Sequence, residues 1–227
     1  MNKKMPAQID EFWRIKVNSD AWNKVLHLGV RQEFKQGETI VHAGEKVTEL
    51  RYIESGTVCL KRTSMEGNEK IIMCVDKNSL FSEVAFFTGE EMHSTFCCQK
   101  DAVIYAFSKD TVDDMLDRHP YIAKDILRTL SLKVSVLSNQ LASLGLDRME
   151  QRVAKFILLR YSSEPLASKI ISLGCLKMKD IASILGVHRA SLYKTLKTME
   201  KAGLIELLGE NRMLIHDIEG LTELAQH

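Results

Sequence analysis

Long hydrophobic runs are missing from this 227-residue sequence. No stretch approaches the ~18 consecutive apolar residues of a membrane-spanning helix, so we expect no membrane partner. The first segment, Met1 to Asp10, is polar and lacks the apolar core of a signal peptide. Three prolines and 12 glycines leave no low-complexity tract. These absences predict a globular, cytoplasmic protein.

Cysteine is also scarce, with five residues and no CxxC spacing. The sequence therefore offers no thiolate set of the zinc or iron–sulfur type, and reduced thiols are a simpler interpretation than a disulfide framework. Cys97 and Cys98 are adjacent on a predicted strand, where successive side chains point to opposite faces, so at most one can face an interior pocket. We interpret both as small buried hydrophobes, with a thiol redox switch as the alternative.

An excess of charge of one sign is absent from the chain as a whole, which has 31 basic and 30 acidic residues. The balance is uneven, however. The segment from Lys169 to Lys201 holds seven basic and two acidic residues, a local net charge of +5. Such a patch predicts a phosphate-facing surface, with a solvated helix face as the alternative.

Residues from about Arg31 to Phe107 have the pattern of short strands separated by turns. Apolar runs such as Leu50–Ile53, Thr57–Leu60 and Ile71–Val75 alternate with glycines 7 to 12 residues apart. Short strands at this spacing predict an antiparallel sandwich or barrel. Residues 54–56 and 66–68 each contain a glycine at which we expect a turn with positive φ.

A helical period replaces the strand pattern after Ser108, the predicted N-cap of a short helix that ends near Arg118. Pro120 is suited to the first turn of a long second helix. Residues in this helix are spaced 3, 4, 3, 4, 3 and form an a/d seam: Leu127, Leu130, Val134, Leu137, Leu141 and Leu144. The seam predicts a dimeric coiled coil, with packing on the helix's own domain as the alternative. Gly145 to Asp147 is predicted to break the helix as a hinge.

A helix-turn-helix pattern covers Met178 to Lys197. Ala182 is small where the second helix crosses the first, and Gly186 lies at the turn, where positive φ is required. The internal apolar positions are Ile181, Leu185, Val187, Leu192 and Leu196. A purely structural helical hairpin is the alternative to DNA binding.

The second helix of this motif is predicted to enter the major groove by its N-terminal end. Its exposed, DNA-facing residues are predicted to be His188, Arg189, Ala190, Ser191, Tyr193, Lys194 and Lys197. Arg189 can pair with guanine O6 and N7, whereas Ser191 and Lys197 are suited to phosphates. Two apolar runs, 204–208 and 213–216, flank a glycine-containing turn and predict a wing.

These motifs together resemble the cyclic-AMP receptor protein and fumarate-nitrate-reduction regulator family. Thr39 to Lys46 and Leu50 to Val58 are similar to the family's β-roll turns and strands, and Ser82 to Phe87 to its phosphate-binding cassette. The resemblance implies an α+β fold with a double-stranded β-helix (β-roll) at residues 1–118, a long dimerisation helix at 119–145, and a winged helix-turn-helix at 146–227. It also implies a homodimer that binds double-stranded DNA, RNA polymerase and a small-molecule effector.

The departures from the family concern the effector. Cyclic-AMP binders carry a Gly-Glu pair and then Arg-Ser, whereas this chain has Ser82-Glu83 and His93-Ser94, with Val134 where a threonine meets the adenine. Neutral histidine cannot replace the arginine fork on a phosphate, so we expect an effector other than cyclic AMP. The resemblance places the effector pocket at Phe81, Ser82, Glu83, Phe86, His93, Ser94 and Val134.

Other interpretations remain for the sensor. The first cysteine, Cys59, lies inside the β-roll, which argues against the N-terminal iron–sulfur cluster of the oxygen-sensing branch. A haem-based gas or redox sensor is the alternative within the family, with a polar loop residue as the simpler role for His93. Axial-ligand candidates are His27, His42, His93, Cys74, Cys97 and Cys98.

The residues argue against two other functional classes. A cupin-type metal enzyme needs clustered histidines, but residues 41–45 contain only His42. A cyclic-nucleotide module without a DNA role is opposed by the helix-turn-helix. The sequence therefore predicts a regulator that is not an enzyme, with no catalytic residues and no metal site, and it leaves activation or repression open.

Overall fold

The computed structural model describes residues 13–17, 20–65, 67, 69–162, 168–173, 176–209 and 211–226. The chain forms two compact units, of which one extends to Ser138 and the other begins at Asn139. Within the described residues, every helix is too short or too polar to cross a membrane.

The first unit is built on a seven-stranded sheet. The strands are β1 (Arg14–Ile15), β2 (Val30–Phe34), β3 (Thr39–Val41), β4 (Glu49–Thr63), β5 (Glu69–Asp76), β6 (Ser79–Phe81) and β7 (Thr95–Ser108). Their order is β1-β5-β4-β7-β2, with β3 beside β7 and β6 beside β4. All pairs are antiparallel except β1 with β5. The predicted β-roll is confirmed.

Strand β4 corrects the prediction of a turn at residues 54–56. It continues through these residues as one strand, with register shifts against β7 between Ile53 and Val58. Gly56 has the predicted positive φ, +95°, but it lies in this bulged region. A Cβ atom there would lie 2.3 Å from the backbone oxygen of Asp101. Glycine therefore permits a close approach of two strands rather than a chain reversal.

Two helices of the first unit begin where the sequence predicts. Helix α1 is Glu83–Thr88, α2 is Lys109–Arg118 and α3 is Pro120–Leu146. The starts of α2 and α3 are the predicted ones, whereas α1 was not predicted as a helix. Ser108 caps α2, because its side-chain oxygen accepts a hydrogen bond from the Thr111 backbone N–H at 3.3 Å.

Helix α3 has two apolar stripes with different environments. One stripe, also spaced by 4 and 3 residues, is buried in the first unit: Ile122, Ile126, Thr129, Lys133 and Val136. The predicted seam lies on another side of the helix and is largely exposed. Leu127, Val134 and Leu141 are 64%, 65% and 74% exposed, and Leu137 and Leu144 are also exposed. Leu130 instead packs against the core of its own unit.

The predicted break at Gly145 is wrong by two residues, because α3 includes Gly145 and Leu146 and ends before Asp147. A glycine in an exposed helix costs only about 1 kcal/mol, which neighbouring residues readily offset. Asp147 is held after the helix ends. Its carboxylate accepts hydrogen bonds from Lys155 Nζ at 2.7 Å and from Ser143 Oγ at 2.5 Å.

The second unit is a winged helix-turn-helix, as predicted. Its elements are α4 (Met149–Ser162), β8 (Ile170–Ser172), α5 (Met178–Leu185), α6 (Arg189–Lys201), β9 (Ile205–Leu207), β10 (Arg212–Ile215) and α7 (Ile218–Gln226). The three strands form an antiparallel sheet in the order β8-β10-β9. Strand β8 and helix α7 were not predicted from the sequence.

Candidate DNA-binding surface and effector pocket

The turn between α5 and α6 has the geometry that its residues require. Gly186 adopts φ +66° and ψ 41° at the end of α5. Just beyond it, the Val187 backbone N–H donates to the Ala182 carbonyl at 3.0 Å. Ala182 is buried, so the two helices approach closely at this point. At the other end of α5, the Lys177 N–H donates to Asp180 Oδ2 at 2.9 Å, which satisfies one free donor of the first turn.

An apolar contact holds the two helices together. Ile181, Leu185, Leu192 and Leu196 are all buried, and Val187 is half-buried. Because these residues occupy one side of α6, the opposite side is left to solvent. The sequence pattern therefore predicts both the packing and the exposed face of α6.

The structure places six of the seven predicted DNA-facing residues at the surface. His188 precedes α6 as its N-cap, and Ser191 alone is half-buried. The other exposed residues are Arg189, Ala190, Tyr193, Lys194 and Lys197. One exposed side of α6 thus carries a guanidinium, an aromatic ring and two ammonium groups.

Two of these side chains have partners within α6. The Arg189 guanidinium carbon lies 5.6 Å from the Tyr193 ring centroid, within cation–π range. Lys197 Nζ lies 2.5 Å from Glu200 Oε2. The hydrogen bond from Lys197, followed by one from the Leu207 backbone N–H, lowers the pKa of Glu200. Both cations are held in place, yet Arg189 and Lys197 remain exposed.

A partly open cavity of about 250 Å³ lies within the first unit. Strands β4, β5 and β7, residues 82–94 and helix α3 contribute its mostly apolar lining. The predicted pocket residues that line it are Ser82, Glu83, His93, Ser94 and Val134. Phe81 does not line it and packs on Phe96, with ring centroids 4.9 Å apart. Phe86 packs against the core cluster around Trp22 instead.

The sequence analysis missed Lys133, which provides the buried cation of the cavity. Its Nζ donates to Glu83 Oε1 at 2.7 Å and to the Leu80 carbonyl at 2.9 Å. The Lys133 and Glu83 side chains are 9% and 4% exposed. The other carboxylate oxygen, Glu83 Oε2, is buried and has no hydrogen-bond partner. The cavity therefore contains an ammonium group and an unsatisfied acceptor side by side.

Ser82 keeps a glycine-like backbone at the start of α1. Its φ is +68°, in the left-handed region that favours glycine. The hydroxyl donates to the Glu49 carbonyl at 3.1 Å, which ties the residue to β4. Ser82 thus adopts a backbone conformation that glycine takes more readily.

The cavity lining offers haem no buried imidazole or thiolate. Of the axial-ligand candidates named from the sequence, His93 lines the cavity, but its side chain is 72% exposed and lies 3.7 Å from Glu90. His27 and His42 are exposed away from the cavity, and the buried polar pair, Lys133 and Glu83, is not a haem ligand set. In the part of the chain that the structure describes, no cluster of three or more histidine, cysteine or acidic residues is arranged to hold a metal ion.

The cysteines require a correction. Cys59 and Cys74 face each other on β4 and β5 with Cα atoms 4.1 Å apart, and they form a disulfide. The prediction of reduced thiols is wrong for this pair. The two cysteines are 15 residues apart in the sequence, and only the register of β4 with β5 brings them together. Cys98 lies in the interior cluster, where burial raises its pKa to about 11. Cys97, as the next residue of the strand, points to the other face.

A β-roll with a cavity and a winged helix-turn-helix in one chain define a class of transcription regulators. Residues 31–119 match the cyclic nucleotide-binding domain, and residues 151–224 match the Crp-like helix-turn-helix domain. The chain belongs to the family of the cyclic-AMP receptor protein and the fumarate and nitrate reduction regulator. It is a transcription regulator rather than an enzyme.

Known relatives support this assignment across most of the chain. The chain is 25% identical over 197 residues to the CRP-like cAMP-activated global transcriptional regulator of Mycobacterium tuberculosis, covering 86% of this chain and 87% of that protein. It is 22% identical to the Escherichia coli fumarate and nitrate reduction regulatory protein, covering 87% and 79%. A CooA mutant from Carboxydothermus hydrogenoformans shares the fold, with a TM-score of 0.75, 18% identity and coverage of 92% and 93%.

Proposed function

We propose that this chain is an effector-responsive regulator that binds an inverted-repeat operator as a homodimer in the cytoplasm. The observation that carries the proposal is the exposed cationic surface of α6, supported by the buried α5–α6 contact. We assign sensing to residues 1–118, dimerisation to residues 119–145 and DNA binding to residues 146–227. Because the chain belongs to a family of transcription regulators, we also propose that the DNA-bound dimer contacts RNA polymerase.

The dimer proposal rests on the exposed seam of α3. Leu127, Val134 and Leu141 are each more than 60% exposed. An apolar row with 3-4 spacing along a 27-residue helix is typical of a surface that a second helix covers. The neighbouring stripe of α3 packs in the first unit, whereas Leu127, Val134 and Leu141 stay exposed and available to a partner. A twofold dimer presents two copies of α6, which requires half-sites about one helical turn apart.

We assign base readout to Arg189 and backbone contacts to Ser191 and Lys197. The Arg189 side chain lies at the N-terminal end of α6, where a recognition helix meets base edges. Ala190 next to it cannot accept a hydrogen bond from cytosine, but its methyl group suits a thymine methyl. His188, Tyr193 and Lys194 complete the surface.

The effector is assigned to the cavity of the first unit. An apolar lining around Lys133 and Glu83 favours an apolar molecule that carries one hydroxyl-type or weakly acidic group. Such a group can accept a hydrogen bond from Lys133 and donate one to Glu83 Oε2, which has no other partner. A cyclic nucleotide would bring a phosphate without a matching arginine, and haem would find no buried imidazole or thiolate in the lining. The conformational change is assigned to the junction of α3 and α4, at residues 145–147.

Selection of binding sites from a random duplex library tests the DNA-binding proposal. The purified full chain should enrich inverted repeats, and Lys124→Ala, which changes an exposed lysine on α3, should enrich the same sites. Enrichment of direct repeats, single half-sites or no sequence would contradict the proposal.

Calorimetric titration tests the effector proposal. Cyclic AMP, cyclic GMP, haem and a panel of small phenols would be compared on the same full-length protein. We expect binding only within the phenol-type panel and its loss in Glu83→Gln. Micromolar binding of a cyclic nucleotide that tightens operator binding would overturn this assignment.

A further inference from the structure

A row of sulfur atoms crosses three neighbouring strands of the β-roll. Cys59 on β4 is in register with Cys74 on β5 and with Cys97 on β7. These residues are 0%, 4% and 8% exposed. The bond joins Cys59 to Cys74, and the Cys97 sulfur lies 3.8 Å from the Cys59 carbonyl oxygen. The bond therefore joins two neighbouring strands inside the fold, and β1 pairs with β5 on the other side of Cys74.

The next row of the same strands forms part of the cavity wall. Leu60 is in register with Met73 on β5 and with Phe96 on β7, and all three line the cavity. Successive residues of a strand point to opposite faces. The sulfur row therefore lies behind this part of the wall, one residue along each strand. A bond between Cys59 and Cys74 fixes the distance between the strands that carry Leu60 and Met73.

We propose that Cys59 and Cys74 form a reversible redox couple whose state sets the rigidity of the cavity wall at Leu60 and Met73. In the oxidising step, two thiols and one low-molecular-weight disulfide exchange to give the Cys59–Cys74 bond and two small thiols. In the reducing step, a dithiol gives its two electrons and two protons to the bond and is itself oxidised to a disulfide. Each direction transfers two electrons, and every sulfur atom ends as either a thiol or half of a disulfide.

The reversibility of the bond rests on the proposed function. A DNA-binding regulator works where glutathione and thioredoxin systems keep thiols reduced, and disulfides in that setting are usually transient or redox-sensing. Cys98 lies on the inner face of β7, the strand next to β4, and burial raises its pKa to about 11, so it stays a neutral, unreactive thiol near pH 7. Cys98 therefore provides a control cysteine in the same sheet.

Thiol mapping tests the redox couple without any reference to DNA. The full-length protein would be equilibrated with either dithiothreitol or glutathione disulfide, alkylated under denaturing conditions and mapped by mass spectrometry. We expect a Cys59–Cys74 cross-link only in the oxidised sample, both in wild type and in Cys98→Ser, and none in Cys59→Ser. A cross-link that persists in dithiothreitol, that never forms, or that joins other cysteines, including Cys175, would overturn the proposal.

Hydrogen exchange tests the effect on the cavity wall. Reduction should speed amide exchange in residues 58–62 and 70–75 by roughly tenfold, because it removes a restraint on a loop of about 15 residues. Cys98→Ser should show the same change, whereas Cys59→Ser should exchange fast under both conditions. Equal exchange in oxidised and reduced wild type would refute the link to the cavity. If these results hold and operator selection fails, the proposed function is wrong while the redox couple stands.

Discussion

Replacing Lys133 should destabilise the first unit far more than replacing any exposed lysine of the same helix. In Lys133→Met the methionine fills a similar volume, but the Glu83 carboxylate stays buried and loses its cation. Removing one partner of a buried ion pair costs about 3–5 kcal/mol, because the remaining charge is uncompensated. Both side chains are at least nine-tenths buried, so this range applies here. The Leu80 carbonyl also loses its donor.

A double-mutant cycle separates the ion pair from simple packing. Glu83→Gln alone leaves Lys133 buried with a weaker acceptor, and it should also destabilise the unit. The double variant Lys133→Met/Glu83→Gln removes both charges, so its loss should be smaller than the sum of the two single losses. We expect a coupling energy in the upper part of the ~0.5–3 kcal/mol range for residues in contact.

Urea unfolding followed by tryptophan fluorescence measures these changes in the correct unit. The chain has two tryptophans, Trp13 and Trp22, and both are buried in the first unit. Lys124→Met, on an exposed position of α3, serves as the control and should change stability by less than about 0.5 kcal/mol. The reasoning fails if Lys133→Met matches this control, or if the two single losses simply add in the double variant.

Three further predictions concern the dimer, the DNA contact and the cassette. Leu137→Glu/Leu141→Glu should give monomers in analytical ultracentrifugation at micromolar concentration, and dimers there would refute the seam. Arg189→Ala should weaken operator binding by ~1–3 kcal/mol and relax the preference for one base, whereas Lys197→Ala should weaken all sequences alike and reduce the salt slope by about 1. Equal loss on operator and random DNA for Arg189→Ala would contradict base readout. Ser82→Gly should be more stable than Ser82→Ala by roughly 1–2 kcal/mol in urea unfolding. Both variants lose the hydroxyl, but only alanine keeps the strain of a side chain at positive φ. Equal stability of the two variants would exclude that strain.

The sequence predicted the elements whose signals are local. Ser108 and Pro120 mark helix starts by their own chemistry, and both helices begin there in the structure. The helix-turn-helix was equally readable, since Ala182 and Gly186 are required by contacts within about 20 residues. Family resemblance supplied the order of the domains, and the comparisons confirm it.

The sequence could not predict features that depend on strand register. The pairing of Cys59 with Cys74 follows from the register of β4 with β5, and no rule based on spacing alone gives that register. Gly56 was correctly expected to have positive φ, but a turn and a bulge share that requirement. The distinction lies in the neighbouring strand, where Asp101 approaches the position of the missing Cβ.

Lys133 could not be identified from the sequence, although the 3-4 spacing of the helix that carries it was recognised. The buried stripe of α3 repeats by 4 and 3 residues from Ile122 to Val136, just as the exposed seam does from Leu127 onward. Thr129 and Lys133 interrupt the stripe with polar side chains, so the seam of leucines was the only stripe that stood out. Each interruption is a position where a polar group is buried at a cost, and the cavity contact with Glu83 offsets that cost at Lys133.

Helix α3 therefore contributes to a buried core, to the cavity wall and to an exposed seam within about 20 residues. Its buried stripe anchors the helix to the β-roll, and Lys133 in that stripe contacts the cavity. Its exposed leucines provide the surface that we assign to a second chain, and Val134 and Leu137 belong to both the cavity lining and the exposed seam. A ligand that moves Val134 must alter both surfaces, because adjacent residues of a rigid helix cannot move independently. An effector can shift the balance between two arrangements of the dimer only if it binds the cavity more tightly in one of them.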